Sequence, residues 1–362
     1  MKKNFIVFMA VCLSFFVLLC GCTASNQEEE MSVIVITRVS RQTTNTSGTM
    51  STSTSSNGSS STTAATSSTT TATSSATAAT SSKTSKEPSS TTSTTTTTTT
   101  TIALPSTDEM IKDMKGLNVL ALGDSLFRGT AASGTAPDTT GEKVWINRLA
   151  KQCDWNITNL GIGGMTVSLT AANKANNKQS MYDNLFNKTD FVFGTTNSTY
   201  YKYGNTNKPA SEVDVIFMLG GANDYDPQKN IPMGTVSSKD KGTFMGAWNL
   251  ITDKLMQDYP NAAIIFLTSW DLDDWTSRAD GITCRQYFSG VKKVYEENYA
   301  HRKRVTLIDM GNPAVSGAQM NNKTWRSQYA FDRLHLKEEG MNVVRSNMLP
   351  HIWKALKETG TL

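Results

Sequence analysis

The chain has 362 residues and a formal net charge of +4. So small an excess gives no electrostatic footprint for nucleic acid, which is not expected as a partner. From Arg41 to Thr101 the sequence is almost wholly Ser, Thr, Ala and Gly. Such a tract has too little apolar surface to offset the entropy of ordering it, which excludes a second packed domain there. One folded region of roughly 250 residues is left, ample for a single core.

The N-terminus reads as an export signal. Lys2 and Lys3 precede an apolar run from Phe5 to Leu19, shorter than the ~20 residues of a spanning helix. The run ends in Leu19-Cys20-Gly21-Cys22, which resembles a bacterial lipobox. The resemblance implies lipidation at Cys22, with Cys20 a tolerated rather than favoured residue at its place. The alternative is a plain secretory signal cut nearby. The expected organisation is a signal peptide over 1–22, a Ser/Thr-rich linker over 23–104 and a folded domain over 105–362. The expected location is the extracellular face of a bacterial membrane, with the lipid as the sole membrane contact. As a flexible coil, ~60 linker residues span about 45 Å, and pulled straight about 200 Å. The linker reads as a tether, with side chains open to O-glycosylation. The apolar run Met31–Val39 has no assigned role.

Five strand-like runs follow: Leu117–Leu122, Asn156–Leu160, Val213–Leu219, Ala262–Thr268 and Val305–Met310. Helical periods lie between and after them. Phe244, Ala247, Trp248, Ile251, Leu255 and Tyr259 share one helix face, as do Met341, Val344, Met348, Ile352 and Leu356. Pro350 inside the last pattern is expected to kink or split that helix. Strand–helix alternation predicts an α/β fold with a parallel sheet covered on both faces. Nearly continuous apolar strands fit burial on both sides. Cys153 and Cys284, the cysteines outside the signal, can form a disulfide or remain as two buried thiols.

Four short motifs sit on this frame. Gly123-Asp124-Ser125-Leu126 follows the first strand, and Asn159-Leu160-Gly161-Ile162-Gly163-Gly164 the second. Gly221-Ala222-Asn223-Asp224 follows the third, and Asp332-Arg333-Leu334-His335 lies near the C-terminus. In open α/β sheets ligands bind beyond the carboxyl ends of the strands, where the first three motifs fall. A serine hydroxyl needs a base to become a nucleophile. Of the three histidines, His301 lies in a basic run and His351 follows Pro350, so His335 is the candidate base. Asp332, three residues earlier, can fold back to orient the imidazole. The alternative reading is that Ser125 only caps the helix that follows it.

These four blocks resemble the SGNH (GDSL-type) hydrolase family over roughly Asn118 to Ile352. The resemblance implies a single three-layer α/β/α domain with a five-stranded parallel sheet of flavodoxin-like order. It implies an acyl-enzyme on Ser125 with Asp332 and His335 as partners. It also implies an oxyanion hole made of the Ser125 N–H, the Gly164 N–H and the Asn223 amide. Glycine at 164 is read as clearing space for close backbone approach. Asp224 and Asp226 are read as ligands of nearby backbone rather than acids.

Thr166 stands where a dinucleotide fingerprint needs Gly or Ala, and no P-loop, HExxH or paired CxxC occurs. Neither cofactor nor metal is expected. The substrate is expected to be an ester, with O-acetyl groups on a carbohydrate the leading candidate and a monomer the expected state. A lysophospholipase or thioesterase, and a non-catalytic carbohydrate-binding module, are the alternatives. Tyr200, Tyr201 and Tyr203 in the long stretch between Gly164 and Gly220 can stack on sugar or pin the insertion down. Trp270 and Trp275 can line the cleft or fill the core.

Overall fold

A computed structural model describes residues 104–128, 140–171, 180–187, 201–205, 208–227, 229–270, 275–317, 323–332 and 334–362. The signal and linker readings, Cys22, the Met31–Val39 run, Tyr200 and the polar run at 173–179 lie outside the described residues. Residues Leu104–Leu362 form one compact unit. No helix among the described residues is long and apolar enough to cross a membrane.

The unit opens with α1 (Thr107–Asp113), started by a capping box. The Ser106 hydroxyl accepts from the Glu109 N–H, and the Glu109 carboxylate accepts the Ser106 N–H in return. Then come β1 (Asn118–Gly123), α2 (Ser125–Arg128), α3 (Trp145–Gln152), β2 (Asn156–Asn159), α4 (Met181–Asn187) and β3 (Tyr201–Tyr203). The second half holds β4 (Val215–Leu219), α5 (Ala222–Tyr225), α6 (Phe244–Asp258), β5 (Ala263–Leu267) and α7 (Cys284–Val294). It closes with β6 (Val305–Ile308), α8 (Pro313–Ser316), α9 (Lys323–Tyr329) and α10 (Glu338–Thr359).

The sheet order is β3-β2-β1-β4-β5-β6. Five strands are parallel, as expected. Taken alone they have the order 2-1-3-4-5, the flavodoxin-like arrangement. The sixth, β3, pairs antiparallel with β2, Ile157 opposite Tyr203 and Asn159 opposite Tyr201. It adds an antiparallel edge strand to the expected five. Three residues flanked by polar stretches carry too little periodic signal to read as a strand. The tyrosine motif thus contributes the backbone of an edge strand.

Every residue of β4 and β5 is buried, as strands covered on both faces require. Each fully buried Leu, Ile or Phe there is worth about 1.5–3 kcal/mol of transfer free energy. The two predicted helices are α6 and α10, and Pro350 does not split the latter, a single 22-residue helix. Proline removes one N–H, and the apolar face holding Met348, Leu349 and Ile352 is buried on both sides of it. That packing outweighs the lost bond. Cys153 and Cys284 are both buried and not joined in a disulfide, so the disulfide alternative fails. Trp270 is core rather than cleft, and Trp275 is partly buried against the Tyr225 ring.

The order reverses between β1 and β4. The segments leaving these two strands diverge, and a crevice opens beyond their carboxyl ends. Ser125 leaves the β1 side and Asn223 the β4 side. The segment after β2 approaches from the flank. At Gly161 it runs so close to α2 that an added Cβ would lie 2.5 Å from the Arg128 nitrogen.

Candidate active site

Ser125 stands two residues beyond the end of β1. The turn that presents it is held by its neighbour. Asp124 Oδ1 accepts from the Leu126 N–H at 2.9 Å, and its carbonyl accepts from Phe127 and Arg128. Asp124 therefore performs the capping considered for Ser125, and the serine hydroxyl is left for another partner. That partner is His335, whose Nε2 lies 2.8 Å from Ser125 Oγ.

His335 is supported from behind. Its Nδ1 lies 2.7 Å from Asp332 Oδ2. Asp332 Oδ1 meanwhile accepts from the Leu334 and His335 backbone N–H groups, each at 2.7 Å. With Nδ1 donating to the carboxylate, Nε2 is the acceptor and the serine hydroxyl donates to it. The loop is closed by the Phe331 N–H donating to the His335 carbonyl.

The electrostatics follow from these contacts. For Asp332, burial pushes the carboxyl up. The hydrogen bonds from the His335 side chain and from the His335 and Leu334 N–H groups outweigh burial and bring it down to about 2. For His335, the Asp332 hydrogen bond raises the imidazole, burial lowers it, and the Asp332 and Asp124 charges raise it further, for a net rise. His351 is held low by burial, and its Nε2 lies 3.2 Å from the Ala314 carbonyl. It takes no part in the site, and His301 is exposed.

The other two expected residues form one hydrogen-bonded unit. Asn223 Nδ2 donates to the Met165 carbonyl at 3.0 Å. Asp224 is fully buried. It accepts the Val167 N–H at 2.8 Å, the Ser168 N–H at 3.0 Å and the Ser168 hydroxyl at 2.6 Å. The reading of Asp224 as a backbone ligand holds, but the backbone lies 56 residues away. Asp226 instead pairs with Lys229 at 3.6 Å. Gly164, immediately before Met165, has φ +75°, and an added Cβ would meet open space. Glycine is needed there for the left-handed backbone rather than for clearance from protein atoms, which corrects the expected reason.

Asn159 is a site-supporting residue that sequence reasoning missed. Its Nδ2 donates to the Phe127 carbonyl at 2.5 Å and to Asn147 Oδ1 at 2.8 Å, and its Oδ1 accepts the Gly161 N–H at 2.9 Å. One buried amide thus ties the turn after Ser125, helix α3 and the glycine loop together. The only available signal was an asparagine at the end of an apolar strand. No group of His, Cys, Asp and Glu among the described residues could hold a metal ion.

The profile of the GDSL-like Lipase/Acylhydrolase family matches residues 121–343. The chain belongs to that family. It is an ester hydrolase on an SGNH-type α/β fold. A search of curated proteins finds no match. Among solved structures, it is similar to an acetyl xylan esterase from Geobacillus stearothermophilus at 18% identity and TM-score 0.40, covering 68% of this chain and 97% of that one. It is similar to a family two carbohydrate esterase from Clostridium thermocellum at 14% identity and TM-score 0.42, covering 73% and 69%. It is also similar to a Lactobacillus plantarum protein at 20% identity and TM-score 0.44, covering 65% and 95%. At these values the neighbours assign no substrate to the GDSL-like hydrolase.

If His335 accepts the serine proton, activity should fall as pH drops through its pKa. The raised direction should then put the acid limb of kcat/KM above the ordinary 6.5. Asp332→Asn removes the main cause and should move the limb to lower pH. A wild-type limb at or below 6.5 contradicts the electrostatics. Asn223→Ala should lower kcat by about 10²–10³ with the fold intact by circular dichroism. Unchanged kcat removes Asn223 from the oxyanion site.

Proposed function

We propose that the protein is an exported, membrane-tethered serine esterase that removes short acyl groups, O-acetyl in the first place, from a carbohydrate. The observation that carries the mechanism is the chain of contacts from Ser125 Oγ through His335 to Asp332, at 2.8 and 2.7 Å. In this reading Ser125 Oγ attacks the ester carbonyl while its proton passes to His335 Nε2. The carbonyl electron pair moves onto oxygen, which lies against the N–H groups of Ser125 and Gly164 and the Asn223 amide. An amide nitrogen has two protons. Met165 engages one of those on Asn223, which leaves the other for the oxyanion. Collapse expels the alcohol with the His335 proton. Water, deprotonated by His335, then releases the acid.

A short acyl group is favoured by the surface. Among the described residues the exposed large hydrophobic side chains are Phe186 and Phe331, both aromatic. Among the described residues there is no exposed aliphatic strip on which a long chain could lie. Phe331 is 50% exposed and directly precedes Asp332, a ring on which a sugar could stack. Export and tethering are inferred from Lys2, Lys3, the apolar run to Leu19 and Cys22.

Ser125→Ala should cut turnover of an activated acetyl ester by about a millionfold. Acetate release from acetylated xylan, pectin and peptidoglycan should exceed release of long-chain acids from lipids. A preference for the lipids overturns the substrate reading, and residual wild-type activity in the serine variant overturns the mechanism. Cys22→Ser should move the protein from the membrane fraction to the medium. Continued membrane fractionation contradicts the anchor.

A further inference from the structure

Asp124 is unusually placed for a carboxyl. It is 1% exposed and sits between β1 and the nucleophile. Oδ1 is engaged by the Leu126 N–H. Oδ2 is buried and has no hydrogen-bond partner. A turn cap needs only one oxygen, and a serine would supply it without burying a second, unpaired one. The surplus oxygen calls for a use.

The charged groups that bear on it come from three separate segments. His335 on the C-terminal loop and Lys229 after α5 favour the ionised form, and Asp224 in α5 opposes it. Burial dominates and pushes the carboxyl up to about 7. The influence is mutual, since the Asp124 charge in turn raises His335.

We propose that Asp124 is a positioning residue that acts through His335, as a second buried carboxyl that steadies the positive charge the imidazole carries after taking the serine proton. The proposal rests on the reading of His335 as the base. Asp332 holds the Nδ1 side of the ring by direct hydrogen bond. Asp124 acts from the serine side through space, in a buried setting where charges are weakly screened. As His335 becomes an imidazolium, ionisation of Asp124 is favoured, so the two groups titrate as a coupled pair. The placement also spares the oxyanion donors, because Asp124 occupies none of them.

Asp124→Asn keeps the oxygen that caps the turn and removes the charge. Two measurements test it. The first follows the three histidine ring signals by NMR against pH in a Ser125→Ala background, with and without Asp124→Asn. The His335 titration should move to lower pH in the double variant while the other two signals stay put. The second is the pH profile of Asp124→Asn on an acetyl ester. Its acid limb should move down, with kcat about tenfold lower above neutrality and KM little changed. An unmoved His335 titration, or a rate loss with the limb in place, overturns the proposal. Failure of the base reading would look different, as His335→Ala would then retain activity. If Asp124→Asn does not fold, the Asp124 carboxyl carbon signal is followed in Ser125→Ala alone. It should titrate near neutrality with an inflection shared with His335. A single step in the ordinary carboxylate range overturns the proposal.

Discussion

The hydrogen bond between Ser125 Oγ and His335 Nε2 joins residues 210 positions apart. Closing so long a loop is entropically costly, and one hydrogen bond worth about 1 kcal/mol cannot drive it. The burial of the sheet does. β1 delivers Ser125 to the crevice at the strand-order reversal, and α10, packed along the sheet, fixes the loop that carries His335. The contact is a consequence of the core.

Around that contact the site is held by polar side chains that bind backbone. Asn159 fixes the turn after Ser125 to the glycine loop. Asn223 and Asp224 fix the segment after that loop to the end of β4. Asn159 and Asp224 are buried and hydrogen-bonded at both polar side-chain atoms, and a satisfied buried network specifies one arrangement, because any slip leaves groups unpaired in a low-dielectric interior. Asn223 is thereby tied to the backbone that follows Gly164. Asp124 stands apart in keeping one oxygen without a partner. That surplus distinguishes it from the structural carboxyl Asp224, whose two oxygens are both engaged.

The strands and the motifs after them were readable because their signals are local. A fully buried parallel strand needs continuous β-branched and apolar residues, and Val215–Leu219 and Ala263–Leu267 have them. The edge strand Tyr201–Tyr203 was not readable, because its pairing with Ile157–Asn159 depends on a partner over 40 residues away. The unbroken helix through Pro350 likewise went against local propensity, since packing of the apolar face decided it. Two buried thiols not joined in a disulfide, and Trp270 in the core rather than the cleft, are matters of distance that spacing does not encode.

By itself the sequence determined the fold class, the family and the identities of Ser125, His335, Asp332, Gly164 and Asn223 as candidates. Each belongs to a short block whose chemistry is written in adjacent residues. Only the tertiary structure decided which groups meet. It set the imidazole between Asp332 and Ser125, gave the capping of the turn to Asp124, made Asn159 a clamp and sent Asp224 to a distant backbone. Those outcomes arise from burial and from the requirement that buried polar groups find partners, and such partners are chosen in space rather than along the chain.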